Sequence, residues 1–194
     1  MIYNTKNQKF EHEGKTFIIG ETIYAIESVY RGLVGVIKEI RTDLDMETDN
    51  PAPEIICDFY TPVLSIDIDR LKQDLGSTYA LDNIIMAPSM LIPTRNIGAS
   101  KNPCKQTAYL VVEEWNYNGE GFSTEINVFS NKTSALMHLR TILANEAHHG
   151  IISAFQEDNA VVVDEYDYYY EIYVDGDYCN NHFFIHIVDK TIND

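Results

Sequence analysis

Alternating hydrophobic and polar residues predict paired β-strands in the first third of the chain. Apolar positions alternate over residues 17–27, a turn containing Arg31 follows, and a second apolar run covers residues 33–42. A period of two places every second side chain on the same face of a strand. We therefore expect an antiparallel hairpin with Gly32 and Gly35 at its turn or just after it. Glycine there lets the chain reverse and lets two backbones approach closely.

Further patterns complete a first domain, which we assign to residues 1–95. Apolar clusters predict additional strands near residues 55–60 and 84–92. Between them, residues 65–75 carry apolar side chains at three- and four-residue spacing, which predicts a helix inserted among the strands. The strands are expected to share one core, to which three apolar side chains contribute: Ile23, Ile37 and Phe59.

The second half of the chain, residues 105–194, predicts an antiparallel sheet covered by one helix. The helix is expected at 132–148, with Asn131 as its N-cap and Gly150 at its end. Strands are expected near residues 109–115, 126–129, 160–165, 167–174 and 182–189. Residues 175–176, Asp-Gly, predict a tight turn between the last two. The polar stretch RNIGASKNPCKQ predicts a linker between the domains, and the fold class is α+β.

The first domain also resembles known proteins. Its hairpin resembles the KOW-type hairpin of small SH3-like barrels, which implies an SH3-like β-barrel with a helical insertion. Over residues 18–92 the chain resembles a family of uncharacterised proteins from Gram-positive gut bacteria, often carried near mobile elements. The residues that carry this likeness are Gly32, Gly35, Arg41, Thr42, Glu54, Pro62, Met86 and Pro88. That family has no established activity, so no catalytic residues can be carried over from it. Its occurrence near mobile elements implies a mobile-element role.

Composition favours a folded intracellular protein. Of the 194 residues, 45% are hydrophobic and 11% aromatic, which argues against disorder. No apolar run approaches the roughly 20 residues that span a bilayer, and the N-terminal residues lack the apolar segment of a signal peptide. Three widely spaced cysteines suit a reducing compartment better than a disulfide framework. We therefore expect a cytoplasmic location and no membrane partner.

Acidity is the second global feature, and it opposes nucleic-acid binding. Thirty acidic residues against fourteen basic ones give a formal charge of −16. Such a surface repels phosphate backbones. The charge either maintains solubility or forms an acidic face for a basic partner, and the sequence leaves both interpretations open. An alternative is a KOW-like nucleic-acid-associated module in which a few bases cluster, with Arg31, Lys38 and Arg41 as candidates.

Metal-binding patterns are weak. The loop DLDMETDN places four carboxylates on alternate positions, namely Asp43, Asp45, Glu47 and Asp49. It lacks the glycine at the sixth position of calcium loops, so we expect a solvated connection. Cys179, His182 and His186 have spacings seen in some zinc sites, but no fourth ligand is obvious, although His148 and His149 are present. We predict no metal and no cofactor, and a metal-dependent enzyme using Cys179 and His182 is a third alternative.

Catalytic motifs are also missing from the sequence pattern. Neither Cys57 nor Cys104 lies in a pattern that marks a base or an oxyanion hole. No phosphate-binding loop occurs, and Glu113 and Glu114 would point to opposite faces of a strand. We therefore predict a non-enzymatic protein without catalytic residues.

The run EYDYYYEIYV is the most distinctive local feature. Read as one strand, it predicts a core face made of Tyr166, Tyr168, Tyr170, Ile172 and Val174. The opposite face, made of Asp167, Tyr169, Glu171 and Tyr173, combines rings with carboxylates in the way that protein interfaces do. Packing alone could also explain the tyrosines. The function predicted from the sequence is an acidic interaction or regulatory protein that blocks a basic nucleic-acid-binding partner.

Overall fold

The structure is a computed structural model that describes residues 9–42, 53–97 and 107–191. These residues form two compact units. The first comprises Met1–Pro62 and Asp69–Ile97, and the second comprises Val63–Ile68 and Gly98–Asp194. The predicted carboxylate loop at 43–50 and Cys104 lie outside the described residues.

The first unit is built from short antiparallel strands. A hairpin of β1 and β2 stands beside a five-stranded sheet of order β6-β5-β4-β3-β7. The strands are β1 (Lys9–His12), β2 (Lys15–Ile18), β3 (Thr22–Ala25), β4 (Val34–Arg41), β5 (Glu54–Phe59), β6 (Ile84–Met86) and β7 (Leu91–Pro93). Helix α1 (Ser65–Leu75) follows β5, as the sequence predicts. Its residues from Asp69 onward belong to this unit, where Leu71 is fully buried in the core.

The hairpin around the two glycines is confirmed. Gly32 precedes β4 with φ of +92°, a conformation that suits glycine, and β3 pairs antiparallel with β4. Gly35 allows β5 to approach, because a Cβ at this position would lie 2.5 Å from the carbonyl oxygen of Asp58. The predicted core is also confirmed, since one buried cluster includes Ile23, Ile37 and Phe59.

One predicted strand in this unit is wrong in detail. The apolar run over 17–27 forms two strands, because Gly20 adopts φ of +84° between β2 and β3 and turns the chain. The Gly20 amide donates to the carbonyl of Ile37, which holds the turn against β4. Within the described residues none of the three sheets closes on itself, so the SH3-like barrel is not confirmed.

The second unit is a five-stranded antiparallel sheet with helices packed against it, and the α+β class is thereby confirmed. The sheet order is β10-β11-β12-β8-β9. Its strands are β8 (Thr107–Asn116), β9 (Ser123–Phe129), β10 (Ala160–Tyr166), β11 (Tyr169–Val174) and β12 (His182–Thr191). Helix α2 (Lys132–His149) begins where predicted, because the side chain of Asn131 accepts a hydrogen bond of 2.8 Å from the Ser134 amide.

Three features of the second unit differ from the sequence-based expectation. A second helix, α3 (Ile151–Glu157), follows Gly150 directly, so two helices cover the sheet instead of one. The tyrosine run contains the hairpin turn Asp167-Tyr168, so Tyr166 belongs to β10 and β11 begins at Tyr169, not at 167 as expected. The connection between β11 and β12 spans residues 175–181 and is therefore longer than a tight turn.

None of the described helices is long and apolar enough to cross a membrane.

Candidate interaction surface

The two faces of the second sheet differ in what covers them. Helix α2 packs on one face, where the ring of its His138 lies 5.0 Å from the ring of Phe129 in β9. Helix α3 contacts the same sheet at β11 and β10. The large side chains of this face are buried with those of the helices: Val111, Phe129, Leu139, Leu143, Ile152, Phe155, Tyr170, Ile172, Phe183 and Ile185. This face is the core of the unit.

The alternate positions of the same strands form the other face, which we call the open face. The strand register aligns its members across the sheet, with Tyr173 opposite His182 and His182 opposite Asn116. Its members are Asp164 and Tyr166 of β10, Tyr169, Glu171 and Tyr173 of β11, His182, Phe184 and His186 of β12, Val112 and Glu114 of β8, and Ile126 and Val128 of β9. Ile126 and Val128 are 55% and 65% exposed, so this face presents apolar surface to solvent.

Rings on the open face contact one another in a continuous set, which we call the aromatic array. Successive centroids lie between 4.4 and 6.5 Å apart, the range of favourable aromatic pairs. The array consists of Tyr166, Tyr169, Phe184, His186, His182, Tyr178, Tyr173 and Phe122. It crosses three strands, so the hydrogen-bonded sheet fixes the positions of its rings.

A single carboxylate, that of Glu171, lies at the centre of the array. It accepts hydrogen bonds from the Tyr169 hydroxyl at 2.6 Å, from the Tyr178 hydroxyl at 3.1 Å and from His182 Nε2 at 2.9 Å. Burial alone raises the pKa of Glu171, but the three hydrogen bonds outweigh it and lower the pKa below its ordinary value. The same contact raises the pKa of Tyr169 to about 12. Glu171 is therefore a fixed negative charge that orients three rings.

Two histidines of the array keep one ring nitrogen without a partner. His182 is 6% exposed, and neither its Nδ1 nor that of His186 has a hydrogen-bond partner among the described residues. Burial lowers the pKa of His186, which the neighbouring Glu114 partly counteracts. His186 is thus favoured in its neutral form and adds an aromatic ring, not a charge, to the open face.

The charges around the array are predominantly negative. The strands of the open face carry the carboxylates of Glu114, Asp164 and Glu171 against one ammonium, that of Lys190. Over residues 107–191 the chain has fourteen acidic and three basic residues. The open face therefore combines exposed rings and aliphatic side chains with a negative potential.

The structure brings together three of the four residues predicted for an interaction surface. Tyr169, Glu171 and Tyr173 lie side by side on β11 and face away from the helices, whereas Asp167 lies in the hairpin turn. The predicted core face is only partly right. Tyr170 and Ile172 are buried, but Tyr166 and Tyr168 are 54% and 48% exposed, because the turn at 167–168 ends the alternation that a single strand would continue.

Sequence reasoning missed the partners that other strands contribute to the array. Phe184 lies next to Tyr169, which is fifteen residues earlier, and Tyr178, in the connection after β11, lies next to Tyr173. Residues 182–186, which alternate histidine and phenylalanine with buried apolar residues, carried a signal for an aromatic strand face. Strand pairing, which the periodicity does not encode, joins this face to the tyrosines.

The other candidates do not assemble into sites. Within residues 9–42, 53–97 and 107–191, no group of three or more histidine, cysteine, aspartate or glutamate residues is placed to hold a metal ion. Cys179 is exposed in the connection before β12, while His182 is bonded to Glu171. Cys57 is buried in the first core, where burial and the charge of Asp58 raise its pKa to about 12. The Cys57 thiol is therefore protonated near neutral pH.

The basic residues of the KOW-like alternative are largely paired with acids. Lys38 contacts the carboxylate of Asp58 at 3.2 Å, and Arg41 contacts Glu39 at 2.9 Å. Arg31 is exposed in the turn between β3 and β4. Because the carboxylates offset two of the three cations, these residues do not form a strong basic patch.

Comparisons of the chain with protein-family models, with curated proteins and with solved structures found no match. The functional argument therefore rests on the open face itself.

Proposed function

We propose that this chain is a non-enzymatic interaction protein that binds a basic protein partner through the open face of its second unit. The observation that supports this most is the aromatic array, eight rings in which Tyr169, Tyr178 and His182 are bonded to the carboxylate of Glu171. Tyrosine and other aromatic residues are enriched at protein interfaces because they supply large, rigid contact area. Neither α2 nor α3 packs on this face, and the array includes exposed rings, those of Tyr166, Tyr178 and Phe122.

The charge of the unit supports a basic partner. Complementary charge steers association and disfavours partners of the wrong sign. Exposed rings on a sheet also suit stacking by nucleic-acid bases, but fourteen acids against three bases over residues 107–191 oppose the approach of phosphates. A nucleic-acid-binding protein presents the basic surface that this face complements, and occupation of that surface would block it.

The first unit supports a separate, structural inference. We infer that it belongs to the SH3-like class, because β7 returns to pair with β3, the first strand of the five-stranded sheet. A short 3₁₀ turn at Pro88–Met90 joins β6 to β7, and Gly35 permits the close approach of β5. Such small barrels host many functions, so this inference assigns none.

The proposed function is tested by affinity capture from a lysate of the organism that encodes the chain, with three baits. The wild-type chain should retain a basic protein, and Tyr173→Ala should lose it because the variant removes a ring from the array. Ile85→Ala is the matched control, since Ile85 is 55% exposed on β6 of the first unit. Capture that is equal for Tyr173→Ala and wild type, or retention of acidic proteins only, would overturn the proposal.

A further inference from the structure

A cavity in the second unit adjoins the aromatic array at the turn between β10 and β11. Its volume is about 270 Å³. Six residues line it: Leu64, Ile66, Glu165, Tyr166, Asp167 and Tyr168. Cavities that hold drug-sized ligands measure roughly 300–1,000 Å³. The size of this one suits a single long side chain, and Tyr166 connects it to the open face.

Two tyrosine rings form exposed walls of the cavity. Tyr166 and Tyr168 lie 6.1 Å apart between centroids with 19° between their planes, and about half of each side chain is exposed. Part of each ring is therefore accessible to a planar or cationic group. The chain itself provides an example of such a contact, because the Lys132 ammonium lies 5.8 Å from the centroid of Tyr168.

Two carboxylates supply negative charge at the same place. Glu165 Oε1 accepts from the Ser65 amide at 2.9 Å, and Asp167 Oδ1 accepts from Arg140 at 3.0 Å. The second oxygen of each carboxylate has no hydrogen-bond partner among the described residues. Glu165 and Asp167 are the two charged residues among those that line the cavity. Two cations lie nearby, Arg140 bonded to Asp167 and Lys132 over the ring of Tyr168.

We propose that this cavity binds an arginine side chain of the basic partner. The inference rests on the proposed function, since it names the chemistry of the group that the partner inserts. A guanidinium stacks on tyrosine faces and donates two parallel hydrogen bonds to a carboxylate. An ammonium lacks the planar fork that makes these two parallel bonds. The apolar residues Leu64 and Ile66 suit the aliphatic stem of arginine.

The test uses the full chain and a capped tripeptide, acetyl-Gly-Arg-Gly-amide, followed by NMR. The peptide should shift the signals of Ile66, Tyr166 and Tyr168 in a saturable way. The citrulline analogue, which is nearly isosteric but uncharged, should bind at least tenfold more weakly. The lysine analogue should also bind more weakly. Equal binding of arginine and citrulline peptides would overturn the proposal, and so would equal binding of the lysine peptide.

Two variants at one position complete the test. Tyr166→Leu removes a ring that is largely exposed, so the fold should persist while peptide binding falls at least tenfold. Tyr166→Phe keeps the ring and should keep binding within about twofold. If Tyr166→Leu binds the peptide as wild type does, the cavity is not the arginine site. If the wild-type chain does not bind the arginine peptide but still captures a basic partner through the Tyr173 surface, this inference alone is refuted. Failure of the wild-type chain to capture a basic partner refutes the proposed function.

Discussion

Replacing Glu113 by glutamine should stabilise the protein more at pH 8 than at pH 5. Glu113 lies on the helix-covered face of β8, directly opposite Glu125 of β9 and near Glu146 of α2. Burial, followed by the charges of Glu146 and Glu125, raises the pKa of Glu113 from 4.5 to about 7. The folded state therefore holds this proton more tightly than the unfolded state does.

The sign and size of the effect follow from linkage. The contribution of Glu113 to the free energy of unfolding is fully present below pH 4.5 and falls as the pH rises toward 7. Above pH 7 this contribution does not change further. A shift of this size corresponds to roughly 3 kcal/mol at full strength, since one pKa unit is about 1.4 kcal/mol. The carboxylate is partly solvent-screened, so we expect a gain of about 1–2 kcal/mol for Glu113→Gln at pH 8.

The assay is urea unfolding at pH 5 and pH 8, followed by fluorescence. The single tryptophan, Trp115, lies in the same strand and reports on the second unit. Glu114→Gln is the matched control, because its side chain lies on the open face one residue away. An unchanged free energy of unfolding for Glu113→Gln at pH 8, or an equal gain at both pH values, would refute the reasoning.

Three further predictions concern packing and binding. Tyr170→Ala should lower the free energy of unfolding by roughly 3 kcal/mol or more in urea melts, because Tyr170 is 1% exposed, whereas Tyr173→Ala should change it little. Equal losses would show that both tyrosines are core. Gly35→Ala should destabilise the first unit by about 1–3 kcal/mol, because the added Cβ would lie 2.5 Å from the Asp58 carbonyl oxygen. Circular-dichroism melts measure this, and an unchanged melting midpoint would contradict it. Mixed-sequence DNA and RNA should show no measurable binding at physiological salt, and micromolar binding that weakens steeply with salt would reveal a basic patch.

The sequence predicted local structure well where one physical signal dominated. The period-two pattern and the glycines located the β3–β4 hairpin, and Asn131 located the start of α2. The tyrosine run gave a wrong prediction for Tyr166 and Tyr168, because its alternation continues through the turn at 167–168 and no glycine or proline marks that turn. Helix α3 was missed because Gly150 ends α2 and begins α3 as well.

The candidate site depended on contacts that the sequence does not encode. The pattern of β11 predicted that Tyr169, Glu171 and Tyr173 share a face, which the structure shows. The neighbours that complete the array come from β12 and from the connection before it, and only strand register joins them to β11. The resemblance to a family associated with mobile elements stays a prediction.

The most direct test of the open face as a binding surface is a titration of the captured basic partner against three forms of the chain. Tyr173→Ala should bind about 30-fold more weakly than wild type, which corresponds to the ~2 kcal/mol of an interface hot spot. Ile85→Ala should bind as wild type does, and added salt should weaken both. Equal affinity of Tyr173→Ala and wild type, or an equal loss for Ile85→Ala, would contradict the account.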